Sequence, residues 1–170
     1  MSTGPYRVAV VCLGNICRSP IADVVVNALL GEAGLSDRVE VTSCGTGTWH
    51  IGEPMDQRAA AVLTRSGYDA SRHRARHFGA DWHDHDLILV MDKSNLDDVL
   101  AELPADRHDR VRLFRSYDPE VEARSGVPVV PAAVPDVPDP FYGGPEGFDE
   151  VLAIVERTAR RLVEELGLAR

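Results

Sequence analysis

Cys12 and Arg18, with five residues between them, lie where the apolar run Val8-Ala9-Val10-Val11 gives way to a segment opened by Ser19-Pro20. A thiol that ends a buried strand and a guanidinium that begins a helix can share one oxyanion. The arginine fork holds two oxygens while the sulfur approaches the central atom. The intervening Leu13-Gly14-Asn15-Ile16-Cys17 supplies the cradle. Backbone N–H groups from Leu13 to Ser19, curled inward, form a concave anion nest reinforced by the dipole of the helix that follows. Gly14 lets the backbone approach closely, and Asn15 tolerates left-handed geometry with an amide that can tie the loop to itself. At the mouth of such a nest Cys12 is expected as a thiolate, stabilised by these N–H groups, by Arg18 and by the Ser19 hydroxyl. The predicted chemistry is nucleophilic attack on phosphorus through a cysteinyl phosphate.

A cysteine is often no more than a small buried hydrophobe, and Cys and Arg fall at this spacing by chance in many chains. The apolar strand, the Gly-Asn pair and the Ser-Pro helix start are further requirements that a structural cysteine does not have. The elements around the loop follow from pattern. Apolar runs predict strands at 6–11, 39–43, 86–91 and 111–114, and helical periodicity predicts helices at 20–33, 55–66, 94–102 and 145–166, the first with Ser19 as cap and Pro20 in its first position. Alternation of this kind predicts a single α/β domain over residues 1–170: a four-stranded parallel sheet with helices on both faces and the phosphate-binding loop after strand 1, at the carboxyl ends of the strands. A chain of 170 residues, 44% hydrophobic, can bury one core, and no linker or repeat divides it. No run approaches the length of a transmembrane helix.

The loop resembles that of the low-molecular-weight protein tyrosine phosphatases, bacterial type, nearly letter for letter. The likeness continues through Thr42-Ser43-Cys44-Gly45-Thr46, Trp49, Gly52-Glu53-Pro54-Met55-Asp56-Gln57-Arg58, the segment 87–92, Ser116-Tyr117-Asp118-Pro119 and Asp136-Val137-Pro138-Asp139-Pro140-Phe141-Tyr142-Gly143. It implies a phosphotyrosine hydrolase in which Cys12 is the nucleophile, Arg18 binds phosphate and stabilises the transition state, Asn15 and Ser19 hold the loop and the thiolate, and Asp139 is the general acid. Read from its neighbours alone, Asp139 is an aspartate fixed between Pro138 and Pro140 in an aromatic loop. That placement suits donation of a proton to a phenolate and, later, activation of water, although Asp-Pro is also an ordinary turn pair.

Trp49 sits in the polar stretch Gly47-Thr48-Trp49-His50, which is not a core pattern. The resemblance implies that Trp49, Phe141 and Tyr142 wall a slot deep enough for phosphotyrosine and too deep for phosphoserine. Phe141 replaces the family's usual tyrosine, which keeps the wall but removes one hydroxyl open to regulatory phosphorylation; Tyr142 remains. At position 16 the resemblance implies threonine in relatives that act on phosphoarginine, so Ile16 points to phosphotyrosine. With the loop backbone, Leu13, Gly14, Ile16 and Cys17 complete the expected substrate-binding set.

Three cysteines, an odd count, and no secretory signal predict free thiols in a reducing cytoplasm. Cys12 and Cys17 share the loop, so an oxidised Cys12 could be captured by Cys17 as a reversible disulfide. Cys44, where the family usually has alanine, reads as a small core residue. The cluster Asp81-Trp82-His83-Asp84-His85-Asp86, with His73 and His77 nearby, lacks a standard ligand spacing and is expected to be a solvated loop, with neither metal nor cofactor. A net charge of −9 argues against nucleic acid and anionic membranes as partners, leaving tyrosine-phosphorylated proteins, with phosphate or a similar oxyanion in the site. The Val-, Pro- and Ala-rich stretch 120–138 is expected as a surface loop that either alters how Asp139 is presented or is inert. Four rival functions remain in view. An arginine phosphatase would carry the other residue at position 16, and a thioredoxin-linked arsenate reductase would need cysteines beyond Cys44. A phosphocarrier would not need Arg18 or Asp139, and a non-hydrolytic phosphotyrosine-binding module would not need Cys12 and Asp139 together.

Overall fold

Branched apolar residues put the middle of the sheet under helices on both sides. The computed structural model describes residues 4–121 and 133–169. Strands β1 (Tyr6–Cys12), β2 (Val39–Gly45), β3 (Leu87–Val90) and β4 (Val111–Leu113) lie in the order β2-β1-β3-β4, and each neighbouring pair is parallel. The period of two along a strand sorts the side chains into two cores. Val8, Val10, Cys12 and Leu89 face one that is filled by helices α1 (Arg18–Glu32), α2 (Gln57–Arg65) and α4 (Glu146–Ala169). Ala9, Val11, Ile88 and Val90 face another, closed by Phe78, Trp82 and helix α3 (Lys93–Glu102). Each buried valine contributes roughly 1.5–3 kcal/mol over its exposed state, so β1, wholly buried from Val8 on, is the mechanical centre of the fold. On leaving β1 the chain builds β2 on one side, and β3 lies on the other. This reversal opens a crevice at the carboxyl end of β1, where Cys12 stands. Among the described residues no helix is long and apolar enough to cross a membrane.

The expected strands and helices are all present, with shifted ends. Helix α1 starts at Arg18 with Cys17 in the cap position and no side-chain cap bond, so Ser19 is not the cap. Its hydroxyl is turned inward to Cys12, and Pro20 still falls in the first turn, where a missing N–H costs nothing. Helix α2 begins after Asp56, whose carboxylate caps the Arg58 N–H, and α3 begins after Asp92, which forms a capping box with Asn95.

The 81–86 cluster departs further from expectation, because it is not a solvated loop. Trp82 and His85 are buried and stacked, with ring centres 4.9 Å apart. His85 bonds the Trp82 carbonyl, and the Asp86 carboxylate accepts the Arg7 N–H at 2.8 Å. These polar groups close the lower end of the sheet. Of the 120–138 stretch, residues 122–132 lie outside the described residues, and the part from 133 onward is a loop whose residues 133, 136 and 138 are exposed while two valines anchor it. Val134 and Val137 are buried, and the Val137 N–H bonds the Met91 carbonyl at 2.8 Å, just past the end of β3.

Candidate active site

The phosphate loop is built on a close approach of two backbones. Cys12, the last residue of β1, is paired with Gly45, the last of β2. A Cβ at Gly45 would lie 2.7 Å from the Leu13 carbonyl oxygen and 3.0 Å from the Asn15 nitrogen, so only glycine lets the loop lie on β2. Loop carbonyls point outward and are held there. The Thr46 N–H bonds the Cys12 oxygen at 3.0 Å, the Gly47 N–H the Leu13 oxygen at 2.8 Å, and the Asp56 N–H the Ile16 oxygen at 2.9 Å. With the carbonyls turned out, the N–H groups of residues 16–19, at the start of α1, have no backbone partner among the described residues, which leaves them available to an anion.

Asn15 adopts φ 57°, the left-handed conformation its side chain was expected to tolerate. Its Nδ2 donates to Ser19 Oγ at 2.8 Å, and its Oδ1 accepts the Arg76 N–H at 2.9 Å. His73 Nε2 donates to the Asn15 carbonyl at 2.7 Å; since a carbonyl only accepts, the imidazole carries its proton on Nε2, and burial favours the neutral ring. Asn15 and Ser19 thus sit behind the loop rather than on its substrate face. The Cys12 sulfur accepts the Asn15 N–H at 3.3 Å and lies 3.0 Å from Ser19 Oγ. Because Ser19 Oγ already accepts a hydrogen bond from Asn15, its own hydroxyl proton is left to donate, either to the Cys12 sulfur at 3.0 Å or to the Cys44 carbonyl at 3.4 Å.

Arg18, only 3% exposed, is aimed by partners far away in sequence. Its Nη1 donates to Asp92 Oδ2 at 2.7 Å and to the Val137 carbonyl at 3.0 Å, and Nη2 lies 3.7 Å from Asp139 Oδ2. Burial works against its charge, but Cys12, Asp92 and Asp139 together hold its pKa above the ordinary value. Asp92, His73 and the Arg76 N–H were given no role by sequence reasoning. The one signal for Asp92 was its place just past the carboxyl end of a strand beside β1.

A cleft of about 360 Å³ opens above the loop, floored by Cys12, Gly14, Cys17 and Arg18. Leu13 and Ile16 line it beside Trp49, Phe141 and Tyr142, as expected, together with His50, which was not foreseen. Trp49 is 68% and Tyr142 92% exposed, in keeping with the polar company they have in sequence. The Trp49 ring lies against Gly47, on the space a side chain there would fill. Asp139 also faces the cleft with its carboxylate 41% exposed; one oxygen accepts the Phe141 N–H at 3.1 Å. Cys12, Cys17 and Cys44 are free and buried, and burial, aided by Asp56, Cys12 and Asp139, pushes the Cys17 thiol far up, so Cys17 stays protonated.

Comparison with known proteins agrees with this geometry over nearly the whole chain. The family model described as low molecular weight phosphotyrosine protein phosphatase matches residues 7–169. A low molecular weight protein-tyrosine-phosphatase of Streptomyces coelicolor is 44% identical over 160 residues, covering 93% of this chain and 92% of that one. A protein tyrosine phosphatase of Entamoeba histolytica, solved with Hepes in its active site, superposes with a TM-score of 0.84 at 28% identity, over 96% of this chain and 97% of that one. Wzb of Vibrio vulnificus, in complex with benzylphosphonate, superposes with a TM-score of 0.77 at 25% identity, over 95% and 99%.

Proposed function

The chain belongs to the low molecular weight phosphotyrosine protein phosphatase family, and from that premise we propose that it removes phosphate from protein tyrosines in two steps at the cleft above Cys12. In the first, the Cys12 thiolate attacks phosphorus while the three non-bridging oxygens lie in the N–H nest and against the Arg18 fork. The S–P bond forms, the P–O bond to the tyrosyl oxygen breaks, and Asp139 delivers its proton to that oxygen. In the second, Asp139, now a carboxylate, takes a proton from water as the water oxygen attacks phosphorus. The S–P bond breaks, phosphate leaves and the thiolate returns.

One observation carries this reading. Cys12, the helix start and Arg18 converge on one point, and Asp139, the one carboxylate of the cleft wall among the described residues, stands at its rim. Trp49, Phe141 and Tyr142 give the cleft aromatic walls suited to a phenyl ring, and Ile16 is apolar where a phosphoarginine enzyme is expected to differ. The protein acts as one domain, in the cytoplasm, on tyrosine-phosphorylated proteins, with neither metal nor cofactor. Phosphate release from phosphotyrosine, phosphoserine and phosphoarginine peptides, measured with chelator present, tests this. Release from phosphotyrosine alone is expected, and Cys12→Ser should abolish it while leaving phosphate binding intact. Preference for phosphoarginine would transfer the protein to that activity, and phosphotyrosine binding without release would make it a binding module.

A further inference from the structure

Arg58 plays no part in the chemistry above, yet it joins the two halves of the site. The Asp56 carboxylate grips it at Nη2, 3.0 Å, and Nε, 3.1 Å, while the Asp56 N–H holds the Ile16 carbonyl of the phosphate loop at 2.9 Å. On its other side Arg58 Nη2 donates to the Phe141 carbonyl at 3.0 Å and Nη1 to the Gly143 carbonyl at 3.4 Å. Its guanidinium carbon lies 5.5 Å from the Phe141 ring centre and 4.7 Å from that of Phe148, which is buried in α4. Asp139, by contrast, is held by the Phe141 N–H, with Arg18 Nη2 3.7 Å away. The same residue, Phe141, therefore holds the acid by its N–H and is itself held by Arg58 through its carbonyl and its ring.

We infer that Arg58 is a positioning residue that sets the distance between the general acid and the phosphate loop. It does so by clamping Phe141 and Gly143 to Asp56, whose backbone is bonded to the loop. Its planar fork supplies several donors in fixed directions and a flat face for two rings; a lysine ammonium supplies neither. Loss of the clamp displaces the proton donor while the nest and Arg18 are untouched.

The inference rests on Asp139 being the acid, so Asp139→Asn is measured beside Arg58→Met. The readout is kcat/KM for phenyl phosphate, a poor leaving group, over that for 4-nitrophenyl phosphate, a good one. Both present one ring of the same size, so displacement of the Phe141 wall alone leaves the ratio nearly unchanged. Arg58→Met is expected to lower the ratio about tenfold, consistent with misplacement of a catalytic group by a fraction of an ångström. Inhibition by inorganic phosphate should stay within about twofold, as binding of the anion is not involved. Adding Arg58→Met to Asp139→Asn should leave the ratio where Asp139→Asn put it, since both act through one proton. An unchanged ratio in Arg58→Met, with Asp139→Asn showing its loss, overturns the inference and leaves the acid in place. An unchanged ratio in Asp139→Asn removes the acid and this inference with it. Should Arg58→Met not fold, Arg58→Lys gives the same comparison, and full rescue of the ratio by lysine would overturn the need for a fork.

Discussion

The two loops that meet at the cleft are built to opposite specifications. The phosphate loop is buried and bonded from every direction: Asn15 and Ser19 are inaccessible, its carbonyls are tied to segments after β2 and before α2, and His73, Arg76 and Asp92 reach it from elsewhere in the fold. The loop that carries Asp139, the proposed acid, hangs from the end of β3 by Val137, from α3 by the bond of Lys93 to Asp136 and from α2 by Arg58, and Asp139 and Tyr142 are open to solvent. A nest for a transition state must be in place before the reaction, since donors that reorganise on binding lose their advantage. A wall that admits the side chain of a folded protein cannot be sealed in the same way. The difference implies that substitutions in the first loop act on every substrate, whereas those in the second act according to leaving group or partner.

The largest break in this contrast should come from Arg18→Lys. An ammonium cannot span two phosphate oxygens while keeping Asp92, and kcat/KM should fall about 10³-fold equally for good and poor leaving groups. A loss below tenfold would mean that the backbone nest alone holds the oxyanion. Next comes the anchor before the acid loop. The Asp118 carboxylate, fully buried, binds Arg157 at 2.9 Å and Arg115 at 3.0 Å. Burial opposes its charge, but Arg157, the Glu120 N–H and Arg115 outweigh that and hold its pKa below the ordinary carboxylate value. The folded state therefore binds this proton less readily than the unfolded chain. Its contribution to stability is complete above about pH 4 and is lost as pH falls through the depressed folded value. Asp118→Asn should cost about 3 kcal/mol at neutral pH, with Arg115 and Arg157 deprived of the buried carboxylate they share, and should flatten the acid limb of a denaturation curve. An unaltered limb would assign acid lability to other carboxylates.

Asn15→Gly sharpens the contrast from within the rigid loop. Glycine keeps the positive φ without strain but leaves Ser19 and the Arg76 N–H without the amide, so kcat/KM should fall roughly tenfold. Full activity would show that conformation alone, not the amide network, is what the loop needs. The smallest effect should follow Tyr142→Ala. With 92% of the residue exposed, small aryl phosphates should lose less than about threefold and the melting temperature should not move, while any change should appear only with protein substrates.

What the sequence made legible was local. Cys12, Asn15 and Arg18 lie within seven residues, and an apolar strand followed by Gly-Asn and Ser-Pro announces a loop that binds an anion. The parallel sheet followed from alternation, and Cys44 is core, as its small size suggested. What escaped was carried by strand order. Asp92 meets Arg18 only because β3 lies beside β1, and His73 and Arg76 reach Asn15 only through the return of the chain after α2. Ser19 misled as a cap because a hydroxyl next to proline is the usual sign of one, whereas here the Cys12 sulfur and the Asn15 amide compete for it and win. The 81–86 cluster misled because its polar letters hide Trp82 and His85, which are packed under the sheet. The aromatic walls were readable as exposed, but the clamp that Arg58 forms on Phe141 spans 83 positions and leaves no local trace.

The pairing of Arg18 with Asp92 also governs what happens after the work is done. Because the guanidinium is already balanced by a carboxylate 2.7 Å away, the loop does not present an unpaired positive charge. With Asp92 sharing the guanidinium, a ground-state oxyanion is held less tightly than it would be by an unpaired arginine, whereas the reacting phosphorus of the proposed mechanism gains the whole nest. On the proposed mechanism that balance discriminates against the product, so inorganic phosphate should bind less tightly than the transition state is held.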